Sequence, residues 1–385
     1  MSVTAAKGFA AGGLACGIKE SGAPDLALVA TDDHRPVPAA AVFTSNLAQA
    51  APVQVSRAHL ADARAAAVVL SSGNANAATG EPGRRDARRM CELAGVGLET
   101  AAADVLVCST GLIGIPMPMH ALEAGIPKLC GTLATAGGGD AAQAILTTDT
   151  VRKEATAAAG NAIVGGMAKG AAMLSPAMAT MLAVLTTDAD VDAITLQQSL
   201  ARAVSETFDC LSVDGCRSTN DTVIVLANGR AGAVDSAQLT AALTAVCGSL
   251  AEQMARDAEG ATKFVRVQVS GGRTQAEARV AARAVANSQL VQCSLNGGDA
   301  YWGRVLSELG ASGAFIDPEL VDIAYNGITV CRDGVACAHD EAALATQMNG
   351  GAIDLHCDLR LAHGAATILT TDLSHAYIDE NRRTS

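Results

Sequence analysis

Two segments in the second half of the chain alternate apolar residues with other residues at every second position. Valine occupies alternate positions of 264–269, and Leu or Cys alternates with Asp, His and Arg over 354–361. A period of two places successive side chains on opposite faces of a β-strand. The unbroken apolar run at 222–227 is typical of a strand that is buried on both faces. The chain must therefore form sheets with at least one covered face.

Helix start signals lie between these strands. Thr274 followed by Glu277 forms a capping-box pattern before an Ala-rich segment that extends to Ala286. Asp235 and Gln238 form a similar pattern before a long segment that ends near Asp257. Strands and helices that occur together in this way predict a mixed α/β architecture.

Composition limits the core and the partners of this chain. Half of the 385 residues are hydrophobic but only 2% are aromatic, so Ala, Val, Leu and Ile must build the core. A chain of this length exceeds one typical domain. The net charge of −12 argues against nucleic acid or an anionic membrane as a partner and favours a small ligand.

Cysteine usage and the apolar segments predict a soluble protein of the cytoplasm. The 11 cysteines contain no CxxC pair, and we interpret them as small buried hydrophobic residues in a reducing compartment. Residues 8–18 are rich in glycine and are followed by Lys19, which argues against an export signal. The apolar stretch 170–185 is shorter than the ~20 residues that span a bilayer.

One threonine, Thr180, lies near the middle of the apolar run 167–185. Its hydroxyl could cleave the peptide bond that joins it to the small residue Ala179. The cut would give Thr180 a free amine, so that one residue would carry both a nucleophile and a base. The alternative is a buried threonine that bonds to the backbone of its own helix.

Four other residues could supply the remaining chemistry of an acyl-transfer site. Thr110 and Gly111 follow the strand-like residues 104–107 and could donate to an oxyanion, where each donor is worth roughly 3–4 kcal/mol. An ordinary strand-to-helix turn would explain the same pair. Lys169 could anchor a carboxylate or extend into water. Glu259 could bind a cationic amine or end a helix in solvent.

A set of short motifs occurs in order along nearly the whole chain. They occupy residues 17–19, 25–29, 41–46, 73–80, 109–114, 147–150, 166–170, 178–182, 218–222, 259–263 and 302–304. Each motif alone is weak evidence, but the ordered set is specific. The chain resembles the ornithine acetyltransferases of arginine biosynthesis, also called bifunctional glutamate N-acetyltransferases.

The resemblance implies a fold and a processing event. The fold would be the self-processing DmpA/ornithine-acetyltransferase-like α/β fold, with helix–sheet–sheet–helix layers and a smaller C-terminal α/β lobe. Self-cleavage between Ala179 and Thr180 would give an α chain of residues 1–179 and a β chain of residues 180–385. The two chains would stay associated, as an α2β2 heterotetramer.

The resemblance also implies an activity. Thr180 would take the acetyl group of N2-acetyl-L-ornithine and pass it to L-glutamate by a ping-pong mechanism, without metal or organic cofactor. Whether acetyl-CoA also donates acetyl groups stays open. Thr180, Thr110 and Gly111 would be catalytic. The implied substrate-binding residues are Thr147, Lys169, Thr180, Glu259, Asn381 and Ser385.

Some positions depart from the family pattern. Ala172 replaces a glycine, and the chain ends one residue early, so either Thr384 or Ser385 could make the terminal contact.

Two alternative functions stay open. One is an amidase or aminopeptidase of the same superfamily, in which water resolves the acyl-threonine. The other is an uncleaved binding protein without catalysis.

Overall fold

The computed structural model of the chain describes residues 2–174 and 181–382. It has the mixed α/β architecture that the sequence predicts. The strands are β1 (Phe9–Leu14), β2 (Leu26–Thr31), β3 (Val37–Phe43), β4 (Arg64–Ala65), β5 (Ala67–Asn74), β6 (Val105–Leu112), β7 (Lys153–Ala159), β8 (Ala162–Lys169), β9 (Leu182–Asp190), β10 (Thr222–Ala233), β11 (Phe264–Gly272), β12 (Asp322–Tyr325), β13 (Ile328–Arg332), β14 (Val335–Ala336), β15 (Ala352–Asp358) and β16 (Gly364–Thr371).

Helices connect and cover these strands. They are α1 (Ala51–His59), α2 (Gly80–Leu98), α3 (Met119–Cys130), α4 (Gly138–Ala144), α5 (Ala193–Glu206), α6 (Ser236–Arg256), α7 (Gln275–Asn287), α8 (Gln289–Asn296), α9 (Trp302–Ala311), α10 (Glu341–Met348) and α11 (His375–Asn381). The chain divides into two compact units. The first unit holds Met1–Asp209 and Cys216–Met254, and the second holds Cys210–Gly215 and Ala255–Thr384.

The first unit contains two sheets that share a core. The four-stranded sheet has the order β1-β2-β5-β6, and the six-stranded sheet has the order β4-β3-β10-β9-β8-β7. Side chains of both sheets meet between them, as Val29 and Leu70 do with Val184 and Ile224. This core is built from small aliphatic residues, as the composition predicts.

Helices cover the outer face of each sheet of the first unit. Val69 and Val107 of the four-stranded sheet pack with Met90 of α2 and Ile126 of α3. On the six-stranded sheet, α5 lies against β3. A Cβ atom at Gly166 of β8 would come within 2.9 Å of Val246 in α6, so this helix also lies close to the strands. These layers confirm the predicted helix–sheet–sheet–helix arrangement.

The middle of the six-stranded sheet comes from a later part of the chain than its neighbours. β9 and β10 pair in parallel, and both follow residue 180. β9 also pairs with β8, and β10 also pairs with β3, and these two flanking strands precede residue 179. The predicted buried strand at 222–227 is confirmed as part of β10 in this central position.

The second unit is the smaller α/β lobe. Its sheet has the order β14-β13-β12-β15-β11-β16, and its core joins residues of β11 and β15 to those of α7, α8 and α9. The two alternating segments are confirmed as β11 and β15, although β15 ends at Asp358, earlier than predicted. Thr274 caps α7 by accepting the Glu277 amide at 3.1 Å, and Asp235 accepts the Gln238 amide at 3.2 Å before α6.

The interpretation of all cysteines as buried hydrophobic residues is wrong for Cys216 and Cys293. Both are exposed, because Cys293 lies on the outer face of α8 and Cys216 precedes β10 in a loop. Within the described ranges, no helix combines the length and apolar character needed to cross a membrane.

Candidate active site

Thr110 and Gly111 lie near the end of β6. The sequence places a loop from residue 108 onward, but the strand continues to Leu112 because it pairs in parallel with β5. In this register Thr110 pairs with Ser72, and Gly111 with Gly73. Thr110 is buried and Gly111 is exposed, so the pair lies where the strand leaves the core.

The backbone at Gly111 requires glycine. Its φ of 131° lies in the region that side chains disfavour. A Cβ atom at this position would lie 2.3 Å from the carbonyl carbon of Gly73 and 2.6 Å from the amide nitrogen of Asn74. Close approach of two backbone segments therefore fixes glycine here.

Lys169 joins two of the predicted site residues. It ends β8, and its side chain is buried, with 2% of the residue exposed. Its ammonium group donates to the Thr147 hydroxyl at 2.7 Å and to the Thr110 hydroxyl at 3.4 Å. The structure thus brings Thr110, Thr147 and Lys169 together in the first unit.

Lys169 determines which hydrogen-bonding role the two threonine hydroxyl groups play towards it. An ammonium group can only donate hydrogen bonds, so both hydroxyl oxygens accept from Lys169. Each hydroxyl hydrogen is then left to donate elsewhere. Lys169 therefore prepares Thr110 as a hydrogen-bond donor, which is the role that an oxyanion site needs.

Asp149 balances part of the positive charge at the cluster. Its carboxylate lies 2.7 Å from Lys153 and 3.6 Å from Lys169, and it accepts the backbone amide of Gly170 at 2.7 Å. Burial would raise the pKa of Asp149, but the two lysine charges and the hydrogen bonds lower it well below its usual value. The buried Asp149 carboxylate thus lies beside two lysine ammonium groups, one of which is Lys169 of the cluster.

Another lysine, Lys19, lies in a loop near Lys169. Lys19 donates to the carbonyl oxygens of Pro24 and Leu146, both at 2.7 Å. Burial lowers the pKa of Lys19, and the charge of Lys169 lowers it further, while Asp25 opposes the shift. The buried carboxylate of Asp25 holds this loop through backbone amides, including that of Ile18 at 2.7 Å. The Lys19 ammonium group is therefore close enough to act on Lys169, and the carboxylates of Asp25 and Asp149 oppose part of its charge.

The motif at 218–222 holds two segments near the cluster. Asn220 donates to the carbonyl oxygens of Ser109 at 2.8 Å and Ala75 at 2.6 Å, which ties β6 to the segment after β5. The buried Asp221 accepts the amide of Met181 at 3.0 Å. This motif therefore supports both the residue before Thr110 and the start of the chain after Thr180.

Two more predicted residues meet in the second unit. Asn381 of α11 donates to the Glu259 carboxylate at 2.7 Å and to the carbonyl oxygen of Tyr377 at 3.0 Å. The predictions for Ala179, Thr180 and Ser385 fall outside the described residues. In residues 2–174 and 181–382, no group of three or more His, Cys, Asp or Glu side chains could hold a metal ion.

Comparison with known families decides the assignment. The model of the ArgJ family matches residues 10–384. The chain belongs to the ArgJ family. The resemblance to the ornithine acetyltransferase family of arginine biosynthesis is thereby confirmed.

Individual ArgJ relatives cover nearly the whole chain. The arginine biosynthesis bifunctional protein ArgJ of Mycolicibacterium paratuberculosis is 47% identical, over 98% of this chain and 95% of its own length. The protein of the same name from Streptomyces coelicolor is 45% identical, over 99% of both chains. A crystal structure of ArgJ from Bacillus halodurans is 33% identical with a TM-score of 0.50, and the match covers 51% of this chain and 96% of that chain.

Sequence reasoning assigned no role to Asp149, Asn220 or Asp221. All three lie inside motifs that carried the resemblance to the ArgJ family, and this was the available signal. Their partners are distant in sequence, as the 40-residue separation of Met181 and Asp221 illustrates. Local patterns do not report such contacts.

Proposed function

We propose that this ArgJ-family chain is a self-processing acetyltransferase that moves the acetyl group of N2-acetyl-L-ornithine to L-glutamate. The observation that carries the proposal is the buried ammonium group of Lys169, which donates to the hydroxyls of Thr110 and Thr147. This arrangement supplies an oriented donor for an oxyanion beside a cationic site for a carboxylate. Acyl transfer between amino acids needs both features.

Two comparisons support the proposal. The relatives that cover nearly the whole chain bear the name arginine biosynthesis bifunctional protein. The crystallised Bacillus halodurans chain is matched over 96% of its length but covers only 51% of this chain. That relative's chain is therefore about half as long as this one, which supports a two-piece protein.

Self-cleavage would begin with attack of the Thr180 hydroxyl on the carbonyl carbon of Ala179. A C–O bond forms and the C–N bond breaks, while the hydroxyl proton moves to the departing nitrogen. Water then hydrolyses the ester, which restores the hydroxyl and leaves a carboxylate on Ala179 and a free amine on Thr180. The amide nitrogen of the precursor is no base, so the cut activates the enzyme.

Acetyl transfer would then proceed in two halves. The Thr180 amine, with a reference pKa of about 7.7–8.0, takes the hydroxyl proton as the oxygen attacks the acetyl carbonyl. The Thr110 hydroxyl and the Gly111 amide stabilise the oxyanion. The amine returns the proton to the leaving nitrogen of ornithine, and an acetyl-Thr180 ester remains. In the second half, the amine of glutamate attacks this ester and the C–O bond to Thr180 breaks. The Thr180 amine passes the proton of the glutamate nitrogen to the threonine oxygen, which restores the hydroxyl and releases N-acetylglutamate.

The charged residues would select the substrates. Lys169 would pair with the α-carboxylate that both amino acids carry, and Thr147 would help to hold this end. Glu259 would bind the δ-ammonium of ornithine, with Asn381 and Ser385 as further contacts. The buried ammonium group of Lys169, beside the Thr147 hydroxyl at 2.7 Å, supports its part of this assignment.

The central experiment compares Thr180→Ala with Thr180→Ser. The alanine variant lacks the nucleophile, so we expect one uncleaved polypeptide and no transfer. The serine variant keeps a hydroxyl, and we expect two pieces by intact mass. Production of N-acetylglutamate is measured with acetylornithine in the presence and absence of glutamate. Cleavage or full turnover by the alanine variant would overturn the proposal, and acetate release without glutamate would favour a hydrolase.

Two finer points belong to the same proposal. Acetyl-CoA, offered with glutamate in place of acetylornithine, tests whether a second donor is used. Light scattering tests the α2β2 assembly, for which the expected mass is twice that of the 38.6 kDa chain. A mass equal to one chain would contradict the tetramer.

A further inference from the structure

The loop that carries Glu259 is held against the start of α11. The Ser374 hydroxyl, which caps α11 by accepting the Tyr377 amide at 3.3 Å, also donates to the carbonyl oxygen of Gly260 at 2.5 Å. Gly260 has a positive φ of 64°, and a Cβ atom there would lie 2.1 Å from the Tyr377 amide nitrogen. The backbone that follows Glu259 therefore contacts the first turn of the helix that carries Asn381.

Asp372 holds the rest of this loop. Its carboxyl Oδ1 accepts the backbone amides of Thr262 and Lys263, both at 2.8 Å. Its Oδ2 accepts the Thr262 hydroxyl at 2.5 Å and the side-chain amide of Asn296 at 2.7 Å. Asp372 is buried, with 5% of the residue exposed. One buried carboxyl group thus binds the residues that follow Glu259 and joins them to the end of α8.

These contacts fix the position of Glu259 relative to Asn381. Asn381 donates to the Glu259 carboxylate at 2.7 Å, but an amide is neutral and does not cancel the negative charge of this carboxylate. A hydrogen bond between an ammonium group and a carboxylate needs a separation of about 2.7–2.9 Å, and small displacements of such partners weaken binding steeply. A displaced loop would therefore bind a cationic side chain less tightly.

We propose that Asp372 is a positioning residue that holds the Glu259 loop against α11 and thereby makes the enzyme select acetyl donors with a cationic side chain. The inference rests on the proposed function, in which Glu259 binds the δ-ammonium of ornithine. It adds a determinant of specificity, since Asp372 lies outside every motif that carried the resemblance to the ArgJ family.

The test uses two acetyl donors that differ only at the end of the side chain. N2-acetyl-L-ornithine carries the δ-ammonium, and N-acetyl-L-norvaline has a hydrogen atom in its place. The value of kcat/KM is measured for each donor with glutamate as acceptor, and the ratio of the two values reports recognition of the ammonium group. A purely structural defect would lower both values equally and leave the ratio unchanged.

Two substitutions loosen the loop in different ways. Asp372→Asn keeps the shape of the side chain, but its amide nitrogen cannot accept hydrogen bonds, so one pair of donors loses its acceptor. We expect the ratio to fall by about tenfold or more, as loss of a hydrogen bond to a charged group predicts. Ser374→Ala removes the hydroxyl that joins Gly260 to α11, and we expect a fall of about threefold or more.

Proposed cleavage at Thr180 should not depend on Asp372. All four hydrogen-bond donors of its carboxyl group belong to the second unit, whereas residues 179 and 180 belong to the first unit. We therefore expect intact mass to show the same two pieces for both variants and for wild type. Rates are then compared per cleaved enzyme, and thermal unfolding confirms that each variant is folded.

Asp188→Asn is the matched control. Asp188 is a buried carboxyl of the first unit, and it accepts the backbone amides of Ile163 at 2.7 Å and Lys7 at 3.2 Å. It lies on β9, which carries none of the predicted site residues. We expect this variant to keep the wild-type ratio. The control separates an effect on the Glu259 loop from the general effect of replacing a buried carboxyl.

Two results would overturn the inference. A folded Asp372→Asn with the wild-type ratio would show that the loop does not need Asp372, and if this variant does not fold, the ratio of Ser374→Ala decides in the same way. An equal fall of the ratio in Asp188→Asn would show that the effect is general. Wild-type enzyme that transfers no acetyl group from acetylornithine, or that uses both donors equally, would instead end the proposed function or its assignment of Glu259.

Discussion

At the scale of single residues, buried charge dominates the candidate site. Lys153, Lys169 and Asp149 are each at least 90% removed from solvent, and they satisfy one another. Loss of either lysine from such a cluster is costly, because less positive charge would remain beside the buried Asp149 carboxylate. The sequence indicated Lys169 through its place in a motif. It could not indicate burial of the whole cluster, because Asp149 and Lys169 meet only after β7 and β8 have paired.

Replacement of Lys153 tests this dependence. Lys153→Met removes the partner that lies 2.7 Å from Asp149, so we expect a loss of ~3–5 kcal/mol in the free energy of unfolding. Arg202→Met is the control, since Arg202 forms an exposed pair with Glu206 that should contribute about 0–1 kcal/mol. Urea unfolding measures both. Equal losses in the two variants would contradict the importance of burial.

Acid should weaken the same cluster. The pKa of Asp149 is lowered in the folded state, so its ionised form contributes stability above the unfolded pKa of about 3.9. This contribution is lost as pH falls, from about pH 5 downward. Asp25, whose pKa is also lowered, adds a change of the same sign. Unfolding free energies at a series of pH values should fall less steeply for Asp149→Asn than for wild type over this acid range.

Gly111 gives a prediction about backbone strain. Gly111→Ala would place a Cβ atom 2.3 Å from the Gly73 carbonyl carbon, so we expect a shifted β6 end, reduced stability and loss of transfer activity. Gly22→Ala is the control, because Gly22 also has a positive φ of 72° but a Cβ atom there would meet nothing within 4 Å. Thermal unfolding and acetyl transfer are measured for both variants. Similar effects would show that φ alone matters.

At the scale of elements, β6 is an edge strand that depends on α1. Ser56 of α1 donates to the carbonyl oxygen of Val107 at 2.7 Å and accepts its amide at 2.8 Å. These bonds satisfy backbone groups on the side of β6 that faces away from β5, which a sheet edge would otherwise leave unpaired. A helix side chain thus fixes the strand that carries Thr110.

Removal of the Ser56 hydroxyl should lower the stability of the protein more than removal of an exposed hydroxyl does. Ser56→Ala leaves both buried groups of Val107 without that partner, and we expect a loss of ~1–3 kcal/mol in the free energy of unfolding. Ser307→Ala, on the exposed face of α9, should change stability by less than about 0.5 kcal/mol. Denaturant unfolding compares the two. No difference between them would mean that water replaces the Ser56 contacts.

Periodicity was enough to predict some elements but not others. The valines of β11 and the cap of α7 are local signals, and both predictions were confirmed. The continuation of β6 through Thr110 and Gly111 was missed, because a Thr-Gly pair indicates a turn locally. Pairing with Ser72 and Gly73 keeps these residues in the strand. Tertiary pairing therefore overrode the local preference at the candidate site.

At the scale of the whole molecule, the six-stranded sheet crosses the proposed cleavage position. β9 and β10 lie between β3 and β8, so two complete ladders would join the pieces on either side of Thr180. The pieces would also share the apolar core between the sheets of the first unit. A cut at this position removes one covalent bond but no strand pairing.

This topology predicts that the cleaved pieces remain together. Wild-type protein should elute from a sizing column as one species that contains both pieces, and it should separate only in denaturant. The same column run after treatment with strong denaturant is the control. Separation of the pieces in native buffer would contradict the interleaved sheet.

Under the proposed cleavage, the interleaved sheet also implies an order of events during biogenesis. While the polypeptide is intact, the short connection between β8 and β9 keeps these strands at a high effective concentration, so the ladder forms within one molecule. Halves synthesised from separate messages would instead have to find each other while each exposed open edges that invite aggregation. Under the proposed cleavage, the bond before Thr180 would therefore serve first as an assembly tether, and maturation would be a one-way step that follows folding.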